Sequence, residues 1–83
     1  DGEDLVYFRQ RAFLYRNLKK YNEALTDYEF LAQQDENDAE NHYYIAEIKY
    51  LLKKEPKEFQ TDVQTAFQLG YPKEQMRLEL QKY

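Results

Sequence analysis

The sequence has no cysteine, two glycines, two prolines, one histidine and no long apolar run, and each shortage removes a class of protein. Without thiols there are no disulfides and no Cys-ligated metals, although this does not assign a redox compartment. A single histidine, His42, leaves almost no material for a His-built metal cage or a conventional catalytic triad. Two glycines can hardly build a phosphate-cradling loop, a calcium loop or a nucleophile elbow. So few turn-forming residues also count against a many-stranded sandwich and favour long helices joined by short turns. No stretch approaches the roughly 20 apolar residues that cross a bilayer, and no charged-then-apolar leader precedes the first helical pattern, so membrane insertion is not expected.

What is present points to a folded, helical domain. The 83 residues are 42% hydrophobic and 17% aromatic, with nine Tyr and five Phe, too many large rings for a disordered segment despite 34% charge. That length allows one domain, near the size where a core only just offsets chain entropy. Net charge is −4 and the twelve basic residues are scattered, so no electrostatic footprint for nucleic acid is visible. The chain opens Asp1-Gly2-Glu3 without an initiator Met, and it is expected to be a piece of a longer protein. Nothing in the residues assigns a localisation.

Helical periodicity and boundary signals predict five helices, over Asp4 to Leu18, Tyr21 to Gln34, Asp38 to Lys53, Pro56 to Leu69 and Pro72 to Lys82. Asp38 suits an N-cap, Pro56 a first helical position, and Gly70 with Pro72 a stop followed by a new start. The first and third segments repeat at a spacing of 34: Phe8 falls on His42, Arg11 on Ile45, Ala12 on Ala46, Leu14 on Ile48, Leu18 on Leu52 and Lys19-Lys20 on Lys53-Lys54. After about one extra turn around Glu55 to Glu58, Tyr21 aligns with Phe59, Leu25 with Val63 and Leu31 with Leu69. A repeated helix-turn-helix unit of this period is the pattern of a solenoid that buries its faces by stacking.

The first unit resembles the tetratricopeptide repeat family. Phe8, Ala12, Tyr15, Tyr21, Ala24 and Tyr28 stand at that family's aromatic and small positions, and KKYNEALTDYEFLAQQDEND looks like its second helix and exit turn. Arg11, Leu31 and Glu36 depart from the usual leucine, alanine and proline, and the second unit matches weakly beyond its first helix. The resemblance implies an all-α right-handed superhelix of helical hairpins: repeat one over 4–34, a divergent repeat two over 38–69 and a capping helix over 72–82, within a single domain spanning 1–83. It also implies a non-enzymatic scaffold that holds a peptide or helix of a partner protein, with no cofactor.

At 100° per residue, Leu5, Tyr7, Phe8, Ala12, Leu14, Tyr15 and Leu18 share one arc of the first helix, the expected core face, and Ile45, Ile48 and Leu52 share that of the third. Val6 and Phe13 form a separate stripe beside Arg9 and Arg16; on the third helix Tyr43 and Tyr50 take the angle of the two arginines, and Glu40 and Glu47 that of Val6 and Phe13. In the resembled family the inner surface of the first helices binds peptides, which implies a partner surface of Arg9, Phe13, Arg16, Tyr43, Glu47 and Tyr50. Rings and guanidinium groups suit that work because they give contact area at little entropic cost. The competing expectation is that Arg9 and Arg16 merely pair with Glu47 or lie on Tyr43 and Tyr50. A chaperone-tail clamp is not expected, because Phe13 and Tyr44 stand where such members have asparagine. His42 is expected to pack in the core.

The last segment carries two stripes, Tyr71 with Leu78, and Met76 with Leu80 and Tyr83. One is expected to cap the preceding helix, and the other, Tyr71 and Leu78, is the candidate for self-association, since two repeats fall short of the usual three. A structural or oligomerising module is thus the alternative to a partner scaffold, and a docking arm for an enzyme in the same polypeptide is a third expectation. The carboxylate pairs Glu36 with Asp38 and Glu74 with Glu79 fall in turns or on solvated faces, where solubilising charge is expected rather than catalysis.

Overall fold

The computed structural model describes residues 2–83, with side chains from Asp4 onward. Four α-helices follow one another: α1 Gly2–Asn17, α2 Tyr21–Gln34, α3 Ala39–Leu51 and α4 Pro56–Gln68. No strand occurs among the described residues, so the architecture is all-helical, and no helix is long and apolar enough to cross a membrane. The connections 18–20, 35–38 and 52–55 are too short to let consecutive helices run the same way, so α1 packs on α2, α2 on α3 and α3 on α4.

Local chemistry sets the helix ends. The Asp38 carboxylate accepts from the Glu40 amide at 3.0 Å and caps α3, while Pro56 opens α4 where a backbone N–H has no partner to lose. At the other ends the chain turns through left-handed residues, Lys19 at φ 62°, Lys53 at φ 63° and Gly70 at φ 108°. Each is followed by an amide that reaches back five residues: Lys20 to Tyr15, Lys54 to Lys49 and Tyr71 to Ala66, at 2.8 to 3.0 Å. These are Schellman turns, and the first two stand 34 residues apart with the same hydrogen bonds. Two lysines hold a conformation that glycine adopts more cheaply.

The core divides into two joined clusters. Ala12, Ala24, Tyr28, Leu31, Ile45 and Ile48 lie between α1, α2 and α3, and Tyr43, Ala46, Phe59, Val63, Ala66, Met76 and Leu80 lie between α3, α4 and the C-terminal segment. Ala12 and Ala46 are both fully buried, the small side chains that let neighbouring helices approach closely. Polar groups join the layers as well. Arg11 forms a two-pronged bond at 2.8 Å to Asp27, and Lys49 reaches Asp62 at 3.0 Å. Its bond to buried Asp27 holds the Arg11 guanidinium above its ordinary pKa against the opposing effect of burial.

Three expectations are corrected. The segment after Pro72 is not a helix but two single 3₁₀ turns, Lys73–Gln75 and Leu78–Leu80, with extended backbone at Met76 and Arg77 between them. Tertiary partners take the polar groups a helix would pair: the Arg77 amide donates to the Tyr43 hydroxyl at 2.9 Å, and the Gln81 side chain donates to the Met76 carbonyl at 2.9 Å. The segment still lies on α3 and α4, with Met76 and Leu80 buried. On α1, Tyr7, Leu14 and Leu18 are 54 to 57% exposed although they share the arc of buried Ala12. Their counterpart in α3, Ile48, is fully buried because α2 lies beside it, whereas α1 has no helix on that side. His42 does not pack in the core; half-buried, its Nε2 bonds the Glu36 carbonyl at 2.8 Å and ties down the exit turn of α2.

Candidate functional site

Between α1 and α3 the surface opens into a groove of about 280 Å³. Arg9, Gln10 and Phe13 form the wall from α1, Glu40, Asn41 and Tyr44 the wall from α3, and Tyr28 of α2 the floor, with Asp38 at one end. That volume falls at the lower edge of small-molecule sites, enough for one large side chain with main chain beside it rather than a bulky cofactor. Three of its eight lining residues, Phe13, Tyr28 and Tyr44, carry rings. Tyr28 and Tyr44 stack at 5.1 Å, and the Phe13 ring is 47% exposed.

Charge in the groove is partly committed. Arg16 binds Glu47 through Nε and Nη2 and holds its guanidinium 5.0 Å from the Tyr44 ring centre. The bond to Glu47 raises the Arg16 pKa, so it is a permanent cation already in use. Arg9 remains more than half exposed and, among the described residues, pairs with Asp38 at 3.9 Å. The Glu40 side chain is exposed and makes no ion pair or hydrogen bond within the described residues. Burial pushes the Tyr28 and Tyr44 phenols up, so both present neutral rings and hydroxyls to the groove at physiological pH.

Asn41 is the unusual member. It is 3% exposed, lines the groove, and its carboxamide has no hydrogen bond within the described residues. The amide is not sealed off, because no buried side-chain N or O among the described residues lacks a partner, so its polar atoms keep a small accessible surface and stay open to a partner beside the groove.

The six residues expected to meet a partner separate into two groups. Arg9 and Phe13 line the groove, and Arg16 stands behind Tyr44 in its pair with Glu47, as the competing expectation had it. Tyr43 and Glu47 are each 3% exposed and face inward: the Tyr43 hydroxyl donates to Glu47 at 3.1 Å, and its ring stacks on Tyr71 at 4.3 Å. Tyr50 is half-buried, edge-on to Phe59 with Arg77 5.7 Å over its face. Tyr43 is covered by Tyr71 and Arg77 of the C-terminal segment and Glu47 by its bonds to Arg16 and Tyr43, whereas Tyr50 stays partly open beside Arg77 and Tyr83. Tyr71 makes that stacking contact and stays half-buried, while Leu78 is 80% exposed.

Sequence reasoning passed over Tyr28, Asn41 and Tyr44. One signal was available for Asn41, which sits 34 residues after Tyr7, so a polar residue falls on an arc read as core, and such a residue is the informative one. No family model, curated protein or solved structure matches the chain.

Proposed function

We propose that this chain is a non-catalytic protein-interaction module, a tetratricopeptide-like pair of helical hairpins, which holds a segment of a partner polypeptide in the groove between α1 and α3. The observation that carries the reading is Phe13, an exposed ring facing the Tyr28–Tyr44 stack across an open cavity, with the exposed guanidinium of Arg9, loosely paired to Asp38, beside it. A half-exposed ring contributes little to folding, whereas a partner that covers it gains apolar area and a cation contact together. Support for the hairpin assignment comes from the two Schellman turns and the two buried alanines, each pair 34 residues apart.

The test compares Phe13→Ala with Tyr50→Ala in titrations of a partner peptide selected from a displayed random library. Phe13→Ala is expected to weaken binding at least tenfold with an unchanged melting curve, and Tyr50→Ala to lower stability first. Unchanged affinity in Phe13→Ala removes the groove from consideration.

The outer face of α1 favours a second reading. Tyr7, Leu14 and Leu18 form an exposed apolar stripe, which makes α1, rather than the last segment, the place where this module packs on a second copy of itself. Light scattering across concentrations, with Leu14→Glu as the control, separates the two readings: a strict monomer in both proteins discards this one.

A further inference from the structure

The groove's own chemistry narrows its occupant, on the reading that it holds a polypeptide. We infer that the bound segment is an extended strand rather than a helix, with one large apolar side chain among Phe13, Tyr28 and Tyr44, its main-chain amide paired to Asn41, and a neighbouring Lys or Arg against Glu40.

Asn41 distinguishes strand from helix. Its carboxamide offers one acceptor and two donors, none of them used, and its remaining accessible surface borders the groove. The backbone N–H and C=O groups in the middle of a helix are already paired to one another and offer this amide little. An extended segment carries unpaired backbone donors and acceptors at every residue, so it can supply both halves of an amide pair. The space suits one inserted side chain with its adjoining backbone, at about 280 Å³.

Charge sets the neighbour. The ionised lining groups are Arg9, Asp38 and Glu40. Asp38 divides its carboxylate between the α3 cap and Arg9, so these two largely offset each other, and Glu40 is left as an uncompensated negative charge at the rim. Phe13 and Tyr44 beside it provide ring surface for the stem of a long cationic side chain.

The experiment uses the 83-residue chain and N-acetylated, C-amidated heptapeptides with a central Leu or Tyr followed by Lys, Ser or Glu, read by fluorescence polarisation. The Lys series is expected to bind at least fivefold tighter than the Glu series, with the order reversed in Glu40→Lys. N-methylation of the central amide is expected to cost tenfold or more against the wild-type chain and nothing further against Asn41→Leu. Asn41→Leu itself is expected to melt no lower than wild type while binding tenfold more weakly; an asparagine with a purely structural role gives the opposite, lower stability and full binding. If peptides bind in a Phe13-dependent way but N-methylation is silent, or a helix-stapled version binds tighter, this inference is overturned and the groove reading stands. If no peptide binds and Phe13→Ala changes nothing, both fall.

Discussion

Removing Arg16 should damage this fold more than altering its partner Glu47. Glu47 is 3% exposed and depends on three donors: Nε and Nη2 of Arg16, and the Tyr43 hydroxyl at 3.1 Å. In Arg16→Ala a carboxylate shut away from water keeps only the phenol. Breaking a buried pair this way costs about 3–5 kcal/mol, and the lower end applies because the Arg16 side chain is itself 26% exposed, so water can follow it out. Glu47→Gln keeps the shape and an accepting oxygen, and leaves Arg16 on the Tyr44 ring within reach of solvent, at a cost of about 1–2 kcal/mol. In Arg16→Ala/Glu47→Gln no charge is stranded, so the double variant should lie nearer the milder single, with a coupling of roughly 2–3 kcal/mol. For a domain this small, 3 kcal/mol lowers the melting midpoint by roughly 15 °C, well within reach of thermal and urea unfolding followed by circular dichroism. Equal costs for the two single variants, or strict additivity, would refute the claim that the pair joins α1 to α3 from inside.

Stability should fall as pH rises above 10. The unfolded chain releases phenol protons near 10, while burial makes folded Tyr28 and Tyr43 hold theirs longer, so the folded state binds more protons there and loses up to about 1.4 kcal/mol per pH unit for each. Tyr28→Phe, which sacrifices no hydrogen bond, should match wild type at pH 7 and unfold with a shallower alkaline slope in chemical denaturation. Lys19→Gly and Lys53→Gly should each stabilise by about 0.5–1 kcal/mol, since glycine relieves left-handed backbone, and a lower urea midpoint in either would contradict the turn geometry. Leu14→Glu and Ile48→Glu alter positions 34 apart, yet the first should cost under about 0.5 kcal/mol and the second more than about 3, because their exposures are 54% and 0%. Similar costs would mean that α1 is covered on its outer side.

The readable part of this protein was local. Asp38, Pro56 and Gly70 mark boundaries through backbone chemistry that acts within a few residues, and the four helices fall within about two residues of where those signals place them. Phe13 and Arg9 were readable as groove residues because they leave the apolar arc. Asn41 was not found, since a polar residue on that arc looks like an error of periodicity until its neighbours are known. Arg11, a departure from a usual leucine, became intelligible only when Asp27 appeared opposite it at 2.8 Å.

Amino-acid order alone determined helix positions, the 34-residue repetition and the small residues at close approaches, because caps, turns and periodicity depend on contacts within a turn or two of chain. Tertiary structure decided which side of each helix stays dry. The arc is buried at Ile48 in α3 but open at Tyr7, Leu14 and Leu18 in α1, since burial requires a neighbour and, of these two helices, α3 alone packs against one on each side. It decided too that the last segment abandons helical pairing to bond Tyr43 and cover α3, because hydrogen bonds and apolar contacts across the fold outweigh the preference of a short, weakly helical stretch.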